Sequence, residues 1–202
     1  MKIWHLGASS NPFKVDGVNH VIWNLARYQA ILGNRVALLV AQEPEAWVKE
    51  WAEARQVRIH PISGNKVLFN PSEIENLVRR DTPDIVHMHS VFIPRHAQLA
   101  RLLNKYGVPY VVTPHGGYAP QVLARGRFKK WLYGWMVERR RIRNAKGVSC
   151  VAPGEREELL SYVRGYSGLL RSIPNPVSED VAQASGKARP WEQDKLVFMG
   201  RF

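Results

Sequence analysis

The chain has 202 residues, 45% of them apolar, and a formal net charge of +12. That length fits one large α/β domain, or a domain with the start of a second, and supplies enough apolar side chains for a core. A single cysteine, Cys150, excludes an intramolecular disulfide and a cysteine metal cluster, and fits a reducing, cytoplasmic compartment.

The opening MKIWHLGASSNPF has one lysine before a short apolar stretch, far less than the roughly 7–15 apolar residues of a signal-peptide core. No apolar run approaches the roughly 18 residues of a membrane-spanning helix. The sequence therefore reads as soluble, or at most peripheral to a membrane. Its charge is local. Between Arg125 and Lys146 lie nine bases (Arg125, Arg127, Lys129, Lys130, Arg139, Arg140, Arg141, Arg143, Lys146) and one acid, Glu138, a net +8. The rest of the chain is close to balanced.

In chain order, Lys2 to Leu6 reads as a first strand and GASSNPFKVD, Gly7 to Asp16, as a loop of turn-forming residues. Asp16 is an N-cap for a helix whose apolar face is Val18, Val21, Ile22, Leu25, Ala26 and Leu32, with Gly33 as C-cap. RVALLV, Arg35 to Val40, is a buried strand. The alternation continues with a helix over 45–55, a strand over 57–62, and a helix over 72–80 capped by Ser72. A strand follows over 84–88, a helix over 95–106 closed by Gly107, and a strand over 109–113. The last elements are a helix over 128–143, a strand over 147–151, a helix over 155–163 and a strand over 169–173. Strands alternating with helices predict an α/β fold, a Rossmann-like parallel sheet with helices on both faces. Ligands of such sheets bind at the carboxyl ends of the strands, here the loops after Leu6, Met88 and Thr113. Residues 1–174 form this domain. Residues 175–194 have linker composition, and 195–202 (KLVFMGRF) read as the first strand of another domain.

Four stretches carry candidate chemistry. Asp16-Gly17 opens a helix at a strand's carboxyl edge, where free N–H groups favour an anion; an ordinary capped helix start is the plainer account. Neither G-x-G-x-x-G nor G-x-x-x-x-G-K-[ST] is present. DIVHMHS places His87 and His89 on one side of a strand. They are two metal-type ligands without a third at motif spacing. The favoured reading is a core histidine at 87 and a crevice histidine at 89. VVTPHGGYAP ends a strand at Thr113 and puts His115 beside the open backbone of Gly116 and Gly117. It is either a tight turn with an exposed histidine or a histidine that donates a hydrogen bond or moves a proton. Finally, Phe128, Trp131, Leu132, Trp135, Met136 and Ile142 form an apolar helical stripe flanked by bases. Core packing is its commonest meaning. Docking on an anionic membrane through Lys129, Lys130, Arg139, Arg140 and Arg141 comes next. Nucleic-acid binding ranks last, because no such module is recognisable.

Taken together, VDGVNHVIWNLARYQAILGNRVALLV, PDIVHMHS, YVVTPHGG, AKGVSCVAPGEREELL, IPNPV and LVFMGRF resemble, in order and spacing, the amino-terminal domain of retaining glycosyltransferase family 4, enzymes of the two-domain GT-B fold. The resemblance implies transfer of a sugar from a nucleotide-diphosphate sugar, the co-substrate, to a glycan or lipid-linked acceptor. It implies no cofactor and no essential metal. Many members build lipopolysaccharide or other surface polysaccharide at the inner face of the cytoplasmic membrane. By resemblance His115 lies near the reacting sugar, Asp16 and Gly17 in the donor-phosphate loop, and His89, Ser90, Gly116 and Gly117 on the acceptor side. Arg125 and Arg127 would meet an anionic acceptor group.

The family's carboxyl-terminal domain, which holds most of the donor, is the expected missing partner, and these residues alone are expected to be inactive. In many GT-B enzymes a last helix crosses back over the first domain, so its absence predicts an exposed apolar patch. The competing accounts are a non-enzymatic α/β module docking on anionic lipid or polymer, and another GT-B enzyme such as an epimerase or a glycogen-synthase relative.

Overall fold

The computed structural model describes residues 1–65 and 67–176. The proposed strand at 195–202 and nearly all of the linker lie outside those residues. Seven strands form one parallel sheet in the order β3-β2-β1-β4-β5-β6-β7. They are β1 (Lys2–Leu6), β2 (Arg35–Val40), β3 (Val57–Pro61), β4 (Ile85–His89), β5 (Tyr110–Thr113), β6 (Gly147–Cys150) and β7 (Leu169–Ser172). β2 is apolar on both sides because both sides are covered: every residue from Val36 to Val40 is buried.

The helices are α1 (Gly17–Ile31), α2 (Ala46–Glu53), α3 (Pro71–Arg80), α4 (Pro94–Lys105), α5 (Pro120–Ala124), α6 (Arg127–Tyr133), α7 (Arg139–Arg143) and α8 (Gly154–Tyr162). A π-helical turn over Gly134–Glu138 joins α6 to α7. Asp16 caps α1: its Oδ1 accepts from the backbone of Val18 at 2.9 Å and Asn19 at 3.3 Å. The cap of α3 is Asn70, not Ser72, because Pro71 takes the first helical position and needs no N–H partner there. His89 belongs to β4, one residue beyond the expected end of that strand.

Two apolar layers sandwich the sheet. On one face α1 and α2 bury Ile22, Trp23, Ala26 and Val48 against Val36, Leu38 and Val57. On the other, Ile74, Leu77, Leu99, Leu103, Ile142 and Leu159, from α3, α4, α7 and α8, pack on Trp4, Leu6, Val86, Met88 and Val112. The first layer stops short. Over β5, β6 and β7 no helix among the described residues covers the α1 face, and Leu169 and Ile173 are 57% and 55% exposed. The order of strands reverses between β1 and β4. Chains leave β1 for α1 on one face and β4 for α4 on the other, which opens a crevice at the carboxyl edge between them.

The basic segment keeps the expected helix over 128–143, as α6, the π turn and α7 in one unbroken run that begins after Gly126 (φ 67°), but its apolar stripe is not packed as expected. Phe128 and Trp135 are 73% and 65% exposed, and Trp131, Leu132 and Met136 also face solvent; of the stripe only Ile142 enters the core. Arg141, expected on a surface patch, is buried. Its Nη2 donates to Glu138 Oε1 at 2.6 Å and its Nε to Oε2 at 3.2 Å. Glu138 is itself fully buried and accepts from the Tyr118 hydroxyl at 3.0 Å. The π turn adds one residue to the helical path, and both ionic partners, three residues apart, lie on its inner side. Arg139 is half-buried with its guanidinium against the Tyr162 ring, so Lys129, Lys130 and Arg140 remain of the predicted patch.

Candidate active site at the carboxyl edge of the sheet

The crevice at the strand-order reversal holds a polar cleft of about 570 Å³, lined by the loop after β1, Lys14, Asp16, Asn19, Gln42, Asn65 and Arg95. Asn19 is buried and organises this loop: its Oδ1 accepts from Ser9 N–H at 2.8 Å and its Nδ2 donates to the Asn11 carbonyl at 3.0 Å. Gly7, at φ 127°, turns the chain tightly over β4, where a Cβ would come within 3.0 Å of the His89 carbonyl and 3.1 Å of its Cβ. Asp16 and Gly17 stand at the cleft's mouth, both exposed. An added Cβ on Gly17 would touch nothing within 4 Å, so a ligand has room there. Asp16 already occupies two of the N–H groups at the start of α1 and puts a carboxylate beside the place where an anion would sit.

Four histidines meet on the α1 face next to this cleft. His5 on β1 is fully buried, as is His89, while His87 between them is half-buried. The expected order of exposure is therefore reversed. His89 is sealed beneath the Gly7 turn, whereas His87 opens onto the recess that the α1 layer leaves uncovered. This recess, about 250 Å³, is bounded by Leu25, Gln29, Thr113, Val111, Leu169 and Ile173 among others. His87 Nε2 lies 2.7 Å from the Thr113 hydroxyl.

His115 follows β5 in the left-handed region, φ 51°, and is half-exposed. With Ser90 at φ 73° and Phe92 at φ 59°, it makes three non-glycine residues in that region on the two loops flanking the crevice. Such backbone costs roughly 1–2 kcal/mol per residue and concentrates where a side chain must be aimed. The Ser90 loop is braced from the opposite face by Arg141, whose Nη2 donates to the Ser90 carbonyl at 3.4 Å.

Burial pushes the His5 imidazole down to about 4 and lowers His87 and His89 as well. His115 is lowered by desolvation, with the nearby Asp16 charge pulling the other way. At neutral pH the cluster is therefore uncharged. Sequence spacing offered only two metal-type ligands, His87 and His89. The sheet supplies a third, since β1 and β4 pair His5 with His87 and bring ligand atoms of His5, His87 and His89 within 4.8 Å of one another. Neutral imidazoles suit zinc or a similar ion, although His5 Nδ1 and His89 Nε2 already pair with each other at 3.1 Å.

The remaining candidates separate from this centre. Gly116 uses its freedom for φ 71°, whereas Gly117 is filled by packing: a Cβ there would collide with Val91 and stand 3.0 Å from the Pro114 carbonyl. Arg125 and Arg127 are exposed and line neither cavity. Two site residues escaped sequence reasoning. Gln29 left a trace, a gap of six positions in the apolar face of α1 between Ala26 and Leu32. His5 left another, a polar residue inside the otherwise apolar strand IWHL.

A half-open parallel sheet with a polar crevice at its reversal point is the architecture of an amino-terminal GT-B glycosyltransferase domain. The profile of Glycosyltransferase Family 4 matches residues 15–181, and the chain belongs to that family. No curated protein matches significantly. Among solved structures, the chain is similar to HepE from Anabaena, crystallised with UDP and glucose (15% identity, TM-score 0.56, 92% of this chain and 50% of that one). It is also similar to MurG from Acinetobacter baumannii (13%, 0.52, 94% and 50%). A third is WaaB, a lipopolysaccharide outer core galactosyltransferase (15%, 0.52, 88% and 46%). The chain thus spans about half the length of these structures.

Proposed function

We propose that this domain forms the acceptor side of a retaining glycosyltransferase that moves a hexose from a nucleotide-diphosphate sugar to a glycan or lipid-linked acceptor in surface-polysaccharide synthesis. The donor, uridine-based as in the HepE structures, is held between this crevice and a second, carboxyl-terminal domain, so these residues alone are inactive. No cofactor takes part. The observation that carries the reading is His115, held in a left-handed turn at the crevice edge of a family 4 chain with the Asp16 charge close to its ring. His115 contacts the reacting sugar, and the Gly17 amide approaches the diphosphate. His89 orders the acceptor wall from beneath, and Ser90, Gly116 and Gly117 shape it.

The test is transfer of labelled sugar from a panel of UDP-sugars to lipid and glycan extracts by the full-length protein. His115→Ala should lose on the order of 10²-fold in rate, the scale of one positioned acid–base or hydrogen-bonding group. Undiminished transfer by that variant sinks the role of His115. Equal transfer by residues 1–176 alone sinks the half-site.

A second feature supports work at the cytoplasmic membrane face. Phe128, Trp131, Trp135 and Met136 are exposed beside Arg125, Arg127, Lys129 and Arg140, which is the make-up of a helix lying on anionic lipid. No helix among the described residues is long and apolar enough to cross a membrane. Co-sedimentation with phosphatidylglycerol vesicles should fall several-fold when Lys129, Lys130 and Arg140 become glutamine, and again in high salt. Binding that ignores both changes removes the membrane from the proposal. Arg141 is left out of this set because it is buried.

A further inference from the structure

One side of the cluster is a continuous chain of hydrogen bonds from α1 to the crevice. Gln29 Oε1 lies 2.7 Å from His5 Nε2, His5 Nδ1 lies 3.1 Å from His89 Nε2, and His89 Nδ1 lies 3.1 Å from His115 Nε2. An amide oxygen only accepts, and a neutral imidazole carries one N–H. His5 therefore holds its proton on Nε2, which leaves Nδ1 bare. His89 must then donate from Nε2 and accept at Nδ1, and His115 must donate from Nε2. Each link fixes the next, and the last nitrogen, His115 Nδ1, has a lone pair and no partner among the described residues.

We infer that Gln29, His5 and His89 are positioning residues that lock His115 in its Nε2–H tautomer, leaving Nδ1 to accept a hydrogen bond from a ligand hydroxyl. The identity of that hydroxyl, on the sugar or its acceptor, rests on the proposed transferase reading; the tautomer does not. The chain terminates on an amide carbonyl that has no proton to exchange, so it is a clamp and not a proton wire. Two further features support it. The clamp draws on three elements, α1, β1 and β4, outside the turn after β5 that carries His115. Its inner members, His5 and His89, are sealed from water, so no solvent molecule competes for their nitrogens. Burial also opposes protonation of each ring, which keeps the one-proton count valid at neutral pH. His115 thereby serves as a hydrogen-bond acceptor, and it is poorly suited to act as a general acid.

Long-range ¹H–¹⁵N spectra of the histidine-labelled chain read the tautomers directly, with His5, His89 and His115 assigned by single substitutions. At pH 7.5 all three should be Nε2–H with bare Nδ1. Gln29→Glu keeps an acceptor and should leave the three tautomers unchanged. Gln29→Lys puts a donor there; Gln29 is half-buried, so the longer chain can reach water. This variant should invert all three rings, moving the His115 proton to Nδ1. The inference is overturned if wild-type His115 carries its proton on Nδ1, or if His115 is unmoved while His5 inverts. The wild-type spectrum decides even if Gln29→Lys does not fold. Spectra repeated after EDTA treatment should be identical. A change would show a metal shared by His5, His87 and His89, which also overturns the clamp. None of these readings depends on sugar transfer, so the clamp and the transferase proposal fail separately.

Discussion

Two polar clusters lie back to back across β4, and they solve opposite problems. On the α1 face, His5, His87, His89 and His115 are held neutral by burial. On the other face, Glu138 and Arg141 are buried as ions. Burial opposes the Arg141 charge, but the Glu138 carboxylate outweighs it and holds the guanidinium above its ordinary value. Each cluster braces one of the two loops at the crevice: His89 bonds to His115 in the loop after β5, and Arg141 holds the Ser90 carbonyl in the loop after β4. The lesson is that a buried ion pair is suited to structure, since neither partner can change charge without stranding the other. A neutral histidine set keeps lone pairs and protons available at the edge where a ligand arrives.

The comparison breaks most visibly if one ion is removed. Glu138→Gln leaves Arg141 charged in the core with a weaker acceptor, and should cost on the order of 3–5 kcal/mol of stability in urea unfolding. Replacing both partners by apolar residues, Glu138→Leu with Arg141→Met, should recover most of that loss. A cost below about 1 kcal/mol for Glu138→Gln would mean that water reaches the pair, and the charged side of the contrast would be lost.

The neutral side is tested by pH. An unfolded histidine takes up a proton as pH falls below its ordinary value of 6.5, while folded His5 resists until about 4. Between those values the unfolded state binds more protons, so stability is full above pH 6.5 and is lost as pH falls toward 4. For His5 alone the loss is about 3 kcal/mol, and His87, His89 and His96 act in the same direction. Urea midpoints at pH 7.5, 5.5 and 4.5 should fall steadily, and less steeply in His5→Gln. A midpoint that stays level from 7.5 to 5.5 would show that the rings are hydrated and take up protons in the folded state as readily as in the unfolded one.

Much of this arrangement was readable in the sequence, for identifiable reasons. Continuous apolar runs gave the strands, Asp16 gave the start of α1, and the chain's alternation gave the sheet and its crevice edge. The histidine centre was less legible because a neighbour in sequence is not a neighbour in the sheet. His5 is opposite His87 only because β1 pairs with β4, a partner 82 residues away along the chain, and no local spacing announces it. Arg141 resembles Arg139, Arg140 and Arg143 by composition. What separates this structural cation from the others is its partner Glu138, three residues earlier and itself fully buried. For the aromatic stripe core packing is the first expectation, ahead of membrane docking, because apolar helical faces usually find a partner. This one does not among the described residues, and an exposed stripe with a basic rim is the more informative finding.

The smallest effects separate the two glycines after His115. Gly117 has an ordinary backbone but no space, and Gly117→Ala should cost about 1–3 kcal/mol as Val91 is forced aside. Gly116 is the reverse case, with φ 71° and nothing nearer to an added Cβ than Glu155 Oε1 at 3.8 Å. Gly116→Ala should therefore cost only the left-handed backbone penalty, about 1 kcal/mol. Because His115 precedes it in the same unfavourable region, that penalty is relieved most easily by letting the turn relax. The His115 imidazole signals should then shift in Gly116→Ala while those of His5 stay in place. If both stay in place, the ring is held by the cluster alone and the turn contributes nothing to its aim.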